Sequence, residues 1–239
     1  MYDLHCHLLP GIDDGPQSLD EALEMARLAV AEGIRKSVVT PHLHVGRWEN
    51  DRASIEAAVA DYRRALESSG IGLEIGFAAE VRCDYDIVPY VEEGRVPFLG
   101  TFEGERVMLL EFPHGHVPLG GDKLVAWLRE RGIRSMIAHP ERNKDIMRDL
   151  TKLQPYVDSG CLLQLTADAI AGEFGPLCQT RAREILERGW ATVMASDAHD
   201  TAARPPRLKP GIEKAAQVIG ERAARDLVET TPRRIVDGA

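Results

Sequence analysis

The chain has no paired cysteines, no excess of basic charge and no long apolar run, and each lack removes a class of protein. Its four cysteines, Cys6, Cys83, Cys161 and Cys178, are scattered singly with no CxxC pair, which disfavours both a disulfide framework and a cysteine zinc site. The positions six beyond them are Ile12, Pro89, Ala167 and Glu184. There is therefore no C-x5-R, and chemistry that needs a thiolate nucleophile cradled by a loop ending in arginine is excluded. Lysine and arginine total 29 against 38 aspartates and glutamates, a net charge of −9, which argues against nucleic acid as the partner. No stretch approaches the roughly 18 apolar residues of a membrane span, and the acidic start lacks a basic region followed by an apolar run. The expectation is a cytoplasmic protein with no direct membrane insertion. G-x-x-x-x-G-K-[ST] and G-x-S-x-G are also missing, which leaves nucleotide-driven and serine-hydrolase chemistry without support. No linker or composition break interrupts the 239 residues, so one domain over 1–239 is expected.

What is present is a strict alternation of strand and helix patterns. The opening Met1-Tyr2-Asp3-Leu4-His5-Cys6-His7 reads as a strand, in which His5 and His7 project from one face and Cys6 from the other. Ser18-Leu19-Asp20-Glu21 forms a capping box ahead of a helix that Gly33 stops. Further strands are expected at Lys36–Thr40, Leu73–Glu80, Arg106–Phe112, Arg134–His139, Cys161–Thr166 and Ala191–Ser196. Helices are expected at about Asp51–Ser68, Asp122–Arg131, Ile146–Ser159, Cys178–Arg188 and Gly211–Val228. Successive βα units imply a parallel sheet, and a closed barrel is the simplest arrangement of seven such strands.

The residues able to hold a metal fall at strand ends. His42 lies just past the second strand, Glu80 ends the third, Glu111 the fourth and His139 the fifth, while Asp197 and His199 follow the seventh. In a parallel α/β barrel those carboxyl ends converge on one face, so residues remote in sequence meet in one pocket. Imidazole and carboxylate without thiolate suit manganese, iron or zinc.

Asp3-Leu4-His5-Cys6-His7-Leu8-Leu9-Pro10-Gly11-Ile12-Asp13-Asp14-Gly15-Pro16, with Thr40-Pro41-His42, Ala79-Glu80-Val81-Arg82, Ala138-His139-Pro140-Glu141-Arg142-Asn143 and Ser196-Asp197-Ala198-His199, spans nearly the whole chain. On these motifs the sequence resembles the PHP (polymerase and histidinol phosphatase) metallohydrolase family, and within it the bacterial capsule and exopolysaccharide tyrosine-protein phosphatases. The resemblance implies a distorted seven-stranded (β/α)7 barrel of the PHP type and three divalent ions, commonly Mn2+, with iron and zinc as alternatives. It further implies that His5, His7, Glu80 and Asp197 hold the first ion, that Glu80 bridges to a second held with Glu111 and His139, and that Asp14, His42 and His199 hold the third.

With neutral imidazoles, three divalent ions bring six positive charges and Asp14, Glu80, Glu111 and Asp197 four negative ones, so a positive site inside an acidic protein is expected to take a phosphate. A water between two metals would lose a proton near neutral pH and attack phosphorus in line. Arg142, three residues past His139, and Arg204, five past His199, are placed to reach the same rim with planar forks for phosphate oxygens. Both match arginines of that subgroup's phosphate binding. Asp13 and Asp200 are candidates for a proton donor, and His114-Gly115-His116 is read as structural. Asp84-Tyr85-Asp86-Ile87-Val88 fits the D-x-D-x-[TV] pattern of aspartyl-nucleophile phosphatases but follows a strand that already has an end, so it is read as accidental. The expected activity is metal-dependent hydrolysis of phosphotyrosine on a protein, a bacterial tyrosine kinase of polysaccharide export. The alternatives are a phosphatase of small metabolites such as histidinol phosphate and a metal-binding regulatory subunit without turnover.

Overall fold

Runs of valine, isoleucine and leucine bounded by glycine and proline become short strands whose side chains are buried on both faces, as parallel sheets between helices require. A computed structural model describes residues 1–238. In chain order the strands are β1 (Tyr2–Cys6), β2 (Lys36–Val39), β3 (His42–Leu43), β4 (Glu74–Phe77), β5 (Glu80–Arg82), β6 (Gly100–Phe102), β7 (Glu105–Glu111), β8 (Ile133–Ala138), β9 (Leu162–Thr166) and β10 (Val193–Ala195). One sheet runs β1-β2-β4; the other runs β10-β9-β8-β7-β5-β3, and only β6, which pairs with β7, is antiparallel.

The α/β alternation is as expected, but the strand count differs. The second and third strands are each broken in two, β2/β3 at Thr40-Pro41 and β4/β5 at Ala78-Ala79, because Pro41 cannot donate to a ladder. Hydrogen bonding resumes one step on: Ala78 N donates to the Val39 carbonyl at 2.9 Å and Glu80 N to the Pro41 carbonyl at 3.1 Å. The break moves His42 and Glu80 from the first sheet to the second. The far edges also meet. His7 N donates to the Ala198 carbonyl and Asp197 N to the His5 carbonyl, both at 2.8 Å, and Cys6 bridges Ala198 in parallel register.

Two apolar clusters fill the molecule. The smaller draws Leu4, Val38, Val107, Met136, Leu162 and Val193 from strands of both sheets, and Ile235 of the last helix seats against it. The larger lies between the sheets and the helices. The helix Leu19–Glu32 buries Ala22, Leu23, Met25, Ala26 and Ala29 there. Its cap is half a capping box: Ser18 accepts from Glu21 N, but the Glu21 carboxylate accepts from Gln17 N instead of Ser18 N. Two expected helices are divided. The region 146–159 becomes Lys144–Arg148, a 3-10 turn Leu150–Leu153 and Gln154–Asp158, because Asp149 caps Thr151 and Pro155 starts a new first turn. The region 211–228 becomes Lys209–Ile219 and Glu221–Asp226, split at Gly220 with φ 84°.

Candidate metal centre

His5 and His7 leave the same face at the end of β1; both are buried and their Nε2 atoms lie 3.4 Å apart. Their other nitrogens are held from outside. His5 Nδ1 lies 2.9 Å from Gln164 Oε1, which also accepts the His139 N–H at 3.1 Å. His7 Nδ1 lies 2.7 Å from Asp13 Oδ2, which accepts the His42 N–H at 3.0 Å, while Asp13 Oδ1 accepts from Gly15 N at 2.9 Å. A ring whose Nδ1 donates outward presents a bare Nε2 lone pair inward, the tautomer a metal uses. The turn carrying Asp13 can lie this close because a Cβ on Gly15 would stand 2.8 Å from the His7 carbonyl oxygen.

Carboxylates face those lone pairs. Glu80 Oε2 is 3.3 Å from Nε2 of both His5 and His7 and 3.2 Å from His42 Nδ1, and Glu80 Oε1 is 2.8 Å from His139 Nε2. Asp197 Oδ1 is 3.2 Å from His5 Nε2 and 3.6 Å from His7 Nε2. Asp14 Oδ1 lies 3.3 Å from His42 Nε2 and 3.4 Å from His199 Nε2. The donor atoms form three compact groups, each within 4.8 Å: His5, His7, Glu80 and Asp197; His7, Asp14, His42 and His199; and His42, Glu80 and Glu111. The first is the set the resemblance implies. The third differs, since His42 rather than His139 stands with Glu111, and His139 meets the opposite oxygen of Glu80. His139 and Asp197 have φ of 30° and 53°, two of three positive values outside glycine among the described residues. Such backbone strain is held where side chains must be aimed.

These residues fit divalent cations. Burial alone would strip the proton from His5, yet Glu80 and Asp197 hold its pKa above the ordinary imidazole value. Burial acts the same way on His7, where Asp13, Asp197 and Glu80 together outweigh it. A cation between the rings and carboxylates takes the place of those protons. The buried His42 Nδ1 makes no aligned hydrogen bond among the described residues although Glu80 Oε2 lies 3.2 Å away, and a cation between the two would satisfy both. No thiolate is at hand: burial pushes Cys83 up to about 12.

Both arginines contact a carboxylate of the first donor group. Arg142 Nη1 pairs with Asp197 Oδ2, and Arg204 Nη2 lies 2.5 Å from the same oxygen. Neither candidate proton donor is free. Asp13 is spent on His7, His42 and Gly15, and Asp200 Oδ1 accepts from the backbone of Ala202, Ala203 and Arg204, so although burial opposes it, those N–H groups hold the Asp200 carboxyl below its usual range. Asp200 shapes the loop that delivers Arg204. Trp48 stacks on His42 with ring centroids 4.4 Å apart and an interplanar angle of 10°, and the Arg47 guanidinium lies 3.9 Å from the Trp48 centroid. His114 and His116 belong to none of the three donor groups.

Sequence reasoning gave no role to Gln164 and Asn143, and a different one, proton donor, to Asp13. Gln164 orients His5; its signal is a lone amide in the apolar run Leu162-Leu163-Gln164-Leu165. Asp13 orients His7 rather than moving a proton. Asn143 caps the next helix and ties it to the Pro113–His116 loop, and an Asn before a helix is a readable cap signal.

The sequence model for capsular polysaccharide synthesis, CpsB/CapC, matches residues 1–237. The tyrosine-protein phosphatase YwqE of Bacillus subtilis (strain 168) is 32% identical over 204 residues, 85% of this chain and 79% of that one. The tyrosine-protein phosphatase CpsB of Streptococcus pneumoniae is 27% identical over 245 residues, 99% of this chain and 98% of that one. A crystal structure from the pair YwqE and CpsB, described as unique metal-dependent tyrosine phosphatases, superposes with a TM-score of 0.91 at 29% identity, covering 99% of this chain and 94% of that one.

Proposed function

Because the chain belongs to the CpsB/CapC family of capsular polysaccharide synthesis, we propose that it is a metal-dependent protein-tyrosine phosphatase acting on a phosphotyrosine protein. The observation that carries this is the convergence of imidazoles and carboxylates in three donor groups, with two arginines on Asp197. His5, His7, Asp14, His42, Glu80, Glu111, His139, Asp197 and His199 are the proposed ligands of three divalent ions, with manganese favoured by family resemblance. Such ions supply an activated water and neutralise charge on phosphoryl oxygens. Arg142 and Arg204 are the proposed catalytic residues: drawn from Asp197 to the incoming phosphate, their forks fix its oxygens in line with the attacking side.

The tyrosine preference has a physical basis in what the site lacks. An alkoxide leaving group needs strong proton donation, whereas a phenol with a pKa of about 10 leaves with little help. Asp13 and Asp200 are both committed as hydrogen-bond acceptors. The relatives' names favour a protein substrate over a small metabolite. The proposed partner is a bacterial tyrosine kinase of capsule or exopolysaccharide synthesis, and the proposed setting is the cytoplasm; among the described residues no helix is long and apolar enough to cross a membrane. We also read the chain as one domain whose two sheets form a distorted seven-stranded barrel. The Cys6 to Ala198 bridge and the inner cluster shared by both sheets support that closure.

Matched peptides differing only in phosphotyrosine or phosphoserine, with histidinol phosphate and added manganese, test the assignment. The phosphotyrosine peptide should lead by orders of magnitude in kcat/KM. Comparable values for the two peptides would reveal a general acid in the site and remove the basis for the tyrosine assignment.

A further inference from the structure

A cavity of about 230 Å³ opens near the end of the strand that bears Glu111. Its wall is mostly apolar, formed by Cys83, Tyr85, Pro113, Pro118, Leu119 and Leu124, with Asp84 and His116 at its polar side. Tyr85 is 49% and Leu119 97% exposed, two of the few large apolar side chains left in solvent among the described residues. Apolar groups gathered in one exposed hollow mark a contact surface, unlike apolar residues scattered singly.

The hollow is built, and it is continuous with the site. Cys83 N donates to the Glu111 carbonyl at 2.8 Å, so one wall starts at the end of the strand that bears Glu111. Tyr85 Oη donates to the Gly120 carbonyl at 3.0 Å and ties the two walls together. Asn143 Nδ2 donates to the Pro113 and His116 carbonyls at 2.7 and 2.9 Å, which fastens the loop to the residue next to Arg142. Ligand pockets for drug-sized molecules occupy about 300–1,000 Å³. This one is smaller, with room for a side chain rather than a drug-sized ligand.

We infer that this hollow is a specificity subsite that receives an apolar side chain, such as leucine or phenylalanine, next to the phosphotyrosine of the substrate protein. The inference rests on the tyrosine-phosphatase assignment. Cys83 is hydrogen-bonded to Glu111 and Pro113 follows Glu111 by two residues, so a substrate chain that leaves over this strand end in extended form, at about 3.3 Å per residue, meets the hollow with a side chain near its phosphotyrosine. Cys83 is buried in the lining and offers an apolar group a small, weakly polar thiol. Asp84 disfavours an acidic side chain there.

The test uses the manganese-loaded enzyme with p-nitrophenyl phosphate and phosphotyrosine peptides bearing leucine, phenylalanine, glycine or aspartate one or two positions from the phosphotyrosine. The apolar peptides should exceed the glycine and aspartate ones by about tenfold in kcat/KM, the worth of partly burying one apolar side chain. Leu119→Asp, at a fully exposed position, should erase that advantage and leave p-nitrophenyl phosphate and the glycine peptides unchanged. Equal rates across the peptides, or a Leu119→Asp effect that is the same for every substrate, would overturn the subsite. Failure to hydrolyse p-nitrophenyl phosphate would count against the phosphatase assignment instead.

Discussion

Glu80 is the residue on which the site turns. Its side chain is buried, Oε2 faces His5, His7 and His42, and Oε1 faces His139. Removing it withdraws a carboxylate shared by four imidazoles and takes from His139 its direct anionic partner. Asp13 touches only His7 and backbone N–H groups, so its loss misorients one ring without deleting a ligand. Asp13→Asn should therefore cost about 10–100-fold in metal affinity, the usual effect of losing an orienting partner, and Glu80→Gln should cost more. Metal content after dialysis and manganese titration followed by calorimetry would rank the two. Equal, mild losses would show that Glu80 is not shared between ions. The sequence made Glu80 visible as a strand end, whereas Asp13 stood beside Asp14 in one acidic pair. Only the tertiary contact with His7 separates a ligand from an orienting group.

At the level of elements, the short turn after β8 does work that its length conceals. Asn143 holds Pro113 and His116 through Nδ2, and its Oδ1 accepts from Asp145 N at 3.0 Å and Ile146 N at 3.1 Å, so one buried amide caps a helix and anchors a loop. Asn143→Ala would leave two carbonyls and a helix start unsatisfied, at about 1–3 kcal/mol in stability. Denaturant unfolding should show that loss as a lower midpoint, and peptide hydrolysis should weaken more than metal binding, since Arg142 sits on the same turn. An unchanged midpoint would mean that water replaces the amide. Long elements were legible because periodicity and caps agree, as in Leu19–Glu32 and Arg52–Ser68. The stretch 144–158 was not. Its three short turns are set by local caps and Pro155, which compete with the apolar period.

For the molecule as a whole, the centre gathers like charges into the interior of an acidic protein. Glu80 and Asp197 are buried, and Asp14 and Glu111 complete the donor groups. Cations that bind the folded chain and not the unfolded one stabilise it by mass action, about 2.7 kcal/mol at a ligand concentration 100 times Kd. Manganese should therefore raise the thermal midpoint of chelated enzyme, and the gain should vanish in Glu80→Gln. A midpoint indifferent to manganese in the unmodified protein, with activity also indifferent, would end the metal hypothesis.

Sequence alone determined the α/β class, most strand positions, the histidine and carboxylate candidates and their family likeness, because each is written in local periodicity or in short motifs whose residues are neighbours in the chain. Tertiary structure decided the rest. Which oxygen of Glu80 meets which ring, whether His42 or His139 stands with Glu111, and that both arginines bear on Asp197 depend on strands β1, β3, β5, β8 and β10 coming together across long stretches of chain. The same holds for the broken strands at Pro41 and Ala78-Ala79, which shift His42 and Glu80 between sheets. A one-dimensional pattern records which face a residue takes on its own strand, but not the register between strands or the rotation of a side chain at its end, and on those two quantities every distance in the site depends.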